Sequence, residues 1–186
     1  MKLKWPLTGL VFGSALTLHS AWIPVKAWVA HELILDSWHQ LVHQKKMIKP
    51  WPWADTRAVA KLKISRLNQQ RVVLLGADPT SLAFSVGAMQ PYHQIRLDSP
   101  MVIAGHNDTH FAFLQEVVMD DVISLTDEHG INHLYKVENI AVIDEKIEQL
   151  QLASNEHNLV LITCYPFNAA SVGGSERYVI TAKRLV

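Results

Sequence analysis

The chain has 186 residues, which is enough for one domain with a sizeable hydrophobic core and an additional N-terminal segment. It contains 17 Lys and Arg residues and 17 Asp and Glu residues, so its formal net charge is zero. This balance argues against a nucleic-acid partner, which requires a surplus of cations to neutralise phosphates. Hydrophobic residues make up 49% of the chain and charged residues only 18%, and this composition indicates association with a membrane.

The N-terminal region has the features of a membrane anchor. Lys2 and Lys4 give it a positive start, and residues 7–23 contain no Asp, Glu, Lys or Arg. A stretch of this kind approaches the ~20 apolar residues that span a bilayer core, and Trp5 and Trp22 bracket it as interfacial aromatic residues do. The sequence predicts a signal anchor within residues 1–48, with the basic end in the cytoplasm and the remaining chain outside.

Two other interpretations of this segment stay open. A cleaved signal peptide is one, because Ala27 and Ala30 provide small residues for a cleavage site. A buried core helix is the other. The N-terminus of the mature protein distinguishes the anchor from the cleaved signal.

A second helical pattern follows the anchor. Residues 27–48 contain no Gly or Pro, and their apolar residues recur at helical spacing: Ala30, Leu33, Ile34, Trp38 and Leu41. The histidines of this segment fall mostly between the apolar positions, which predicts a solvated face: His31, His39 and His43. We expect the helix to continue from the anchor with a kink at Pro24, to support the following domain, and to end before Pro50.

The pattern changes after Trp53, and residues 49–186 are predicted to form a single domain. Short apolar or alternating runs alternate with turn signals that contain Gly, Pro and Asp, which predicts a mainly antiparallel barrel or sandwich. Helical content is expected to be minor, at residues 111–117 and 147–152. The predicted strands are residues 59–64, 71–75, 101–104, 122–126, 134–137, 140–143, 159–163 and 178–182.

Cys164 is the single cysteine of the chain, and it ends the apolar run of residues 159–164. Such a run, followed by Tyr165 and Pro166, predicts a buried strand that presents its last residue at the surface. A thiol in that position is held by a rigid element and is accessible to a substrate. The alternative is a small buried hydrophobic residue, a common role of free cysteines.

His106 and Arg177 are predicted partners of this thiol. His106 follows Gly105 at the end of a predicted strand, and a thiolate with an imidazolium is the pair that cysteine peptidases and transpeptidases need. Arg177 begins the strand after Cys164, so antiparallel pairing is expected to place the two residues close together. Its guanidinium can then donate hydrogen bonds to an oxyanion. The alternatives are a core histidine and a surface ion pair.

The motifs around these three residues resemble those of the sortases, the cysteine transpeptidases that attach proteins to cell surfaces. Gly105-His106, residues 161–164 and residues 177–182 are similar to the histidine, "TLxTC" and arginine motifs of that family. Residues 50–55 and 104–111 resemble the proteobacterial ("marine" type) branch found in Gram-negative bacteria. The resemblance covers residues 50–186.

This resemblance implies a mainly β fold, an eight-stranded sortase-type β-barrel with short helices. It also implies that Cys164 attacks a threonyl carbonyl in an LPxTG-like C-terminal sorting signal and that His106 protonates the departing amine. Arg177 then stabilises the oxyanion or positions the signal, and Thr163 adds a hydroxyl to the oxyanion environment. The implied partners are a secreted substrate protein, an unidentified amine acceptor and membrane lipid.

The implied location is the inner membrane, with the catalytic domain in the periplasm. Two other functions stay open: a thiol peptidase that hydrolyses the same signal, and a catalytically silent membrane-tethered barrel that binds peptides.

Three further residues near His106 are candidates for substrate binding or for support of the site. Asn107 and Asp108 either border the substrate groove or cap a turn. His110 follows His106 at a spacing that suits metal ligation on a helix, but Gly105 and the preceding strand argue against a helix there. We therefore expect a structural role for His110, no metal site and no cofactor. Residues 138–158 correspond to the loop that shapes the signal pocket in sortases.

Overall fold

A computed structural model of the chain describes residues 4–95, 99–147, 158–167 and 174–185. A long helix, α1 (Lys4–Gln44), precedes a barrel that the eight described strands close in the order β1-β2-β3-β4-β7-β8-β6-β5. The strands are β1 (Ala58–Ile64), β2 (Gln69–Leu75), β3 (Val86–Ala88), β4 (Met101–Ala104), β5 (Val122–Asp127), β6 (Asn132–Asp144), β7 (Asn158–Cys164) and β8 (Glu176–Arg184). The short helices are α2 (Pro79–Leu82) and a 3-10 helix (Ala112–Glu116). The predicted mainly β, eight-stranded barrel is confirmed.

Two of the strand pairings are parallel, β2 with β3 and β4 with β7, and the other pairings are antiparallel. The parallel pair β4–β7 matters most for function, because both strands then end at the same edge of the barrel. The sequence predicted both strands but not their parallel pairing.

The barrel interior is filled by alternate residues of the strands, as expected for a sheet with one buried face. Fully buried examples come from strands all around the barrel: Leu62, Ile103, Leu125, Leu161 and Ile180. This core holds the strand ends in place.

Two elements differ from the sequence prediction. β3 was not predicted, because it is only three residues long and Gly87 interrupts its apolar character. A Cβ on Gly87 would lie 2.1 Å from the carbonyl oxygen of Gly76, so the close approach of the two backbones excludes a side chain there. The predicted strands 134–137 and 140–143 are one strand, β6, with a register shift between Val137 and Asn139. The predicted helix at 147–152 lies almost wholly outside the described residues.

The C-terminal half of α1 packs on the outside of the barrel. Ile34, Trp38 and Leu41 contact the outer face of β1 and β2, where Ala58, Val72 and Leu74 are buried. His31, His39 and His43 are exposed, which confirms the predicted solvated face. The predicted supporting role of this helix is therefore confirmed.

The prediction that the helix extends to residue 48 is wrong, because α1 ends at Gln44. Lys45 has a φ of 54°, in the left-handed region that ends a helix. Its Nζ donates a hydrogen bond to the carbonyl oxygen of His129, 2.9 Å away. This contact attaches the end of the helix to the turn after β5.

The N-terminal half of α1 runs through Pro24 as part of the same helix. Several apolar side chains of this half are exposed, among them Trp22, Ile23 and Trp28. The sequence predicts a membrane anchor over residues 7–23. Among the described residues, the structure contains no helix with the length and apolar character needed to cross a bilayer.

The packing of α1 on the barrel gives a stability prediction. Trp38 is 5% exposed, and Trp38→Ala should lower the free energy of unfolding by about 3–5 kcal/mol because it leaves a cavity between helix and sheet. Trp53 is 80% exposed, and Trp53→Ala should change stability by no more than about 0.5 kcal/mol. Urea unfolding of the full chain measures both, and equal losses for the two variants would contradict this packing.

Candidate active site

The parallel register of β4 and β7 places His106 and Cys164 at one edge of the barrel. Ala104 pairs with Ile162, and each candidate residue lies two positions beyond its strand's member of that pair. The amide of Gly105 continues the ladder by donating to the carbonyl oxygen of Ile162, 3.2 Å away. The condition for a cysteine–histidine pair, that their two strands are neighbours, is therefore met.

The antiparallel register of β7 and β8 brings Arg177 to the same place. Cys164 and Arg177 are direct partners in this ladder, which confirms the neighbourhood predicted from the hairpin. Directly paired residues of an antiparallel ladder project from the same face of the sheet. Both Cys164, which is exposed and free of any disulfide, and Arg177 thus belong to the outer face of the barrel.

The same outer face carries a small group of apolar side chains. Val102, Val160 and Val179 are buried there, and Ile143 and Ile162 pack against them. We call this group the outer apolar patch. It leads along β4, β7 and β8 toward His106, Cys164 and Arg177, so a ligand lying on it reaches the thiol at its end.

Thr163 has a position different from the one expected. Its side chain is 3% exposed, and its hydroxyl donates a 2.7 Å hydrogen bond to the carbonyl oxygen of Gly105. Since neighbouring residues of a strand point to opposite faces, Thr163 faces the interior when Cys164 faces outward. The hydroxyl therefore links β7 to the residue before His106, and this position does not suit the expected contact with an oxyanion.

Gly105 and Phe111 hold the backbone around His106. A Cβ on Gly105 would lie 2.7 Å from Cδ2 of the buried Phe111 and 3.0 Å from Cγ1 of Val86. The amide of Phe111 donates to the carbonyl oxygen of His106, 2.9 Å away. Only a glycine lets the chain leave β4 over this ring, which gives the Gly-His motif a packing reason.

Arg177 is held by hydrogen bonds at three of its N–H groups. Nη1 donates to the carbonyl oxygens of Gly174 and Glu176, at 2.7 and 2.9 Å, and Nη2 donates to Oε1 of Glu145, at 2.7 Å. A guanidinium has five N–H donors, and Nε–H and one Nη2–H have no partner among the residues that the structure describes. The surface ion pair considered as an alternative role for Arg177 is present, with Glu145, and it uses only one N–H of the guanidinium.

The sequence pattern gives Glu145 no role beyond that of a solvated charge within residues 138–158. It comes directly after β6, whose pairing with β8 places Ile143 opposite Arg177. No local motif marks this residue, because its nearness to Arg177 depends on a long-range strand pairing.

Asn107 and Asp108 differ in their contacts. The side-chain amide of Asn107 donates to the carbonyl oxygen of Pro166, 3.0 Å away, and so joins the segment after His106 to the segment after Cys164. The carboxylate of Asp108 accepts a hydrogen bond from the neighbouring hydroxyl of Thr109, at 3.2 Å on the exposed surface. Asn107 thus supports the site geometry, and Asp108 shapes the turn.

His110 is half-buried, and its Nε2 lies 3.5 Å from the carbonyl oxygen of Ala83. Burial lowers the pKa of its imidazole, and the charges of Arg71, His106 and His31 lower it further. Its position is consistent with the expected structural role. Among the described residues, no three His, Cys, Asp or Glu side chains are grouped so as to hold a metal ion.

Three aromatic residues beside the thiol were not singled out from sequence. Tyr165 stacks on Tyr178, and Phe167 meets Tyr178 edge to face, with ring centroids 6.2 and 5.1 Å apart. Tyr165 and Phe167 begin the connection from β7 to β8, and Tyr178 lies in β8. The run Tyr165-Pro166-Phe167, which directly follows Cys164, is the sequence feature from which aromatic side chains near the thiol could have been predicted.

The chain matches the family model of the sortase domain over residues 62–185. This span includes His106, Cys164 and Arg177. The chain belongs to the sortase family. It is 26% identical over 125 residues to sortase D of Bacillus subtilis (strain 168), an alignment that covers 67% of this chain and 62% of that protein. The chain thus spans less than two thirds of the length of this relative.

Solved sortases share the fold of this chain. Sortase A from Corynebacterium diphtheriae, in a lid mutant, is 22% identical with a TM-score of 0.62, covering 84% of this chain and 94% of that one. The Clostridium perfringens sortase D5 transpeptidase is 16% identical with a TM-score of 0.65, covering 85% and 99%. At these identities the likeness establishes the fold, and the predicted sortase-type barrel is confirmed.

The link between Thr163 and Gly105 gives a second prediction. Thr163→Val keeps the shape of the side chain but leaves the buried carbonyl of Gly105 without its donor, which should cost about 1–3 kcal/mol of stability. Thr163→Ser keeps the hydroxyl and should retain most of that stability. Denaturant unfolding compares the two, and a valine variant as stable as the serine variant would show that the bond is unimportant.

Proposed function

We propose that this sortase is a cysteine transpeptidase that cleaves a C-terminal sorting signal and transfers the acyl part to an amine. The observation that carries the proposal is the register of β4, β7 and β8, which gathers His106, Cys164 and Arg177 at one edge of the outer face. An exposed thiol, an exposed imidazole and a guanidinium with free donors are the groups that acyl transfer from a peptide requires.

In the first half-reaction, the thiolate of Cys164 attacks the carbonyl carbon of the scissile peptide bond. The oxygen takes up the negative charge and accepts hydrogen bonds from Nε–H and the remaining Nη2–H of Arg177. The C–N bond then breaks, and the departing amine takes a proton from the imidazolium of His106. The acyl group is left as a thioester on Cys164.

In the second half-reaction, the amine of the acceptor attacks the thioester carbon and gives a proton to His106. The C–S bond breaks, a new amide bond forms, and the thiolate of Cys164 is restored. Histidine suits both steps because an imidazolium can donate a proton and a neutral imidazole can accept one.

For the substrate we propose an LPxTG-like signal near the C-terminus of a secreted protein. The outer apolar patch supports this, since its partly buried members Ile143 and Ile162 leave apolar surface that side chains of an extended signal can cover. A substrate of this kind is exported, and the function therefore belongs outside the cytoplasmic membrane.

Hydrolysis of the same intermediate is the second candidate. Cys164 is exposed, so water reaches a thioester at this position unless the bound substrate or acceptor excludes it. The relative rates of water and amine at this carbonyl decide between a peptidase and a transpeptidase.

The test is incubation of the full chain with a Leu-Pro-x-Thr-Gly peptide, with and without an amine acceptor, followed by mass spectrometry of the products. We expect the amide product when the amine is present. Cys164→Ala should abolish turnover. His106→Ala should lower it by about 10²–10⁴-fold, the usual contribution of general acid–base catalysis.

The matched control is His129→Ala, because His129 is equally exposed and lies at the turn after β5. It should leave turnover unchanged. Free acid as the only product with the amine present would favour the peptidase. Peptide binding without cleavage by the unaltered chain would favour the silent binding barrel and contradict the proposal.

A further inference from the structure

A groove of about 530 Å³ lies between α1 and the outer face of β1 and β2. Trp28 and His31 of α1 line one side, and Lys61 lines the other from the outer face of β1. Arg71 pairs with the inward-facing Leu62 and lies beside Phe113, so it reaches the groove from the other face of the sheet. His110 also lines the groove, although it belongs to the loop that begins with His106. Apart from His110, the groove residues named here belong to elements that the site itself does not use.

The charges in this groove are of one sign. Lys61 and Arg71 are cationic, and His31 and His110 become cationic when protonated. Among the described residues that line the groove, none is acidic. A pocket whose charged lining residues are all cationic favours an anionic ligand.

Arg71 is the central residue of this groove. Its side chain is partly buried, and the guanidinium lies 5.3 Å from the ring centroid of Phe113. Nη1 donates to the backbone carbonyl of Gln70, at 2.7 Å. No described carboxylate forms an ion pair with it, whereas Arg66 and Arg177 pair with Asp121 and Glu145.

The absence of a carboxylate partner among the described residues has an energetic consequence. Burial lowers the pKa of the Arg71 guanidinium, because removal from water disfavours its charged form. An anion bound in the groove would offset this cost and would form charge-assisted hydrogen bonds, which are stronger than neutral ones. Arg71 is therefore better prepared to bind an anion than an exposed arginine.

The groove adjoins the histidine end of the site. His110 lies four residues after His106 and lines the groove, and the charges of His106, Arg71 and His31 all act on it. In the proposed reaction, the amine acceptor arrives beside His106, which takes its proton. A ligand that extends from the groove along the loop of His110 therefore approaches the thioester from the acceptor side.

We propose that this groove binds an anionic group, a carboxylate or a phosphate, carried by the amine acceptor. The proposal rests on the proposed transpeptidation, and it assigns the acceptor a chemical class: an amine whose molecule also bears an anion. Arg71 and Lys61 would bind the anionic group and so favour such acceptors over neutral amines.

The first test is binding without catalysis. Full-length Cys164→Ala protein is titrated with inorganic phosphate at constant pH and ionic strength, and NMR follows the ring resonances of His31 and His110. We expect saturable shifts that disappear in Arg71→Gln and persist in Lys63→Gln, because Lys63 is exposed two residues from Lys61 and does not line the groove. No saturable shift, or equal shifts in Arg71→Gln, would overturn the proposal.

The second test compares acceptors that differ only in their anionic group. Triglycine is compared with triglycinamide, and phosphoethanolamine with ethanolamine, so that the two pairs separate carboxylate from phosphate recognition. We expect the favoured anionic acceptor to be used about tenfold faster than its neutral partner, the gain of one charge-assisted contact. Arg71→Gln should bring this ratio near one, and Lys63→Gln should keep it.

The outcomes separate the two proposals. Equal transfer to charged and neutral acceptors by the unaltered chain would overturn the role of the groove and leave the transpeptidation intact. Peptide cleavage without transfer to any of the amines would instead contradict the transpeptidation and, with it, the acceptor assigned to the groove.

Discussion

The parallel pairing of β4 with β7 is the constraint on which the rest of the site depends. It aligns Ala104 with Ile162, so that the two chains leave the barrel side by side carrying His106 and Cys164. The hydrogen bond from Thr163 to Gly105 continues this alignment past the last ladder pair. The side-chain amide of Asn107 joins the two segments once more, at Pro166. The antiparallel pairing of β8 with β7 then places Arg177 opposite Cys164.

The site combines a buried, hydrogen-bonded backbone support with side chains that are exposed to solvent. Thr163, Gly105 and Phe111 are buried and in contact with one another through a hydrogen bond and side-chain packing. His106 and Cys164 are exposed. In the proposed reaction, preorganisation of this kind lowers the free-energy cost of bringing the thiol, the imidazole and the substrate together. The long helix α1 does not contribute to this support. It covers the outside of β1 and β2 and lines one side of the groove that contains Lys61 and Arg71.

Much of this arrangement was accessible from the sequence, because its signals are local. The apolar run before Cys164 and the strand before Gly105 mark two strand ends, and the order of Cys164 and Arg177 in a hairpin predicts their contact. The features that were missed depend on long-range pairing. Glu145 reaches Arg177 only through the β6–β8 ladder, and the short β3 is defined by its neighbours more than by its own residues. Thr163 was assigned to the reacting face, although strand alternation from the exposed Cys164 points it inward.

The central claim is that Cys164 carries the acyl group of a peptide as a thioester and that His106 acts as general acid and then as general base. The most direct measurement is rapid acid quenching of the full chain mixed with a Leu-Pro-x-Thr-Gly peptide, followed by intact-mass and tandem mass spectrometry. The account predicts an adduct that increases the mass at Cys164 by that of the Leu-Pro-x-Thr peptide less one water, formed more slowly in His106→Ala. Cleavage of the peptide by the unaltered chain with no adduct on Cys164 at any time, or unchanged cleavage by Cys164→Ala, would contradict it.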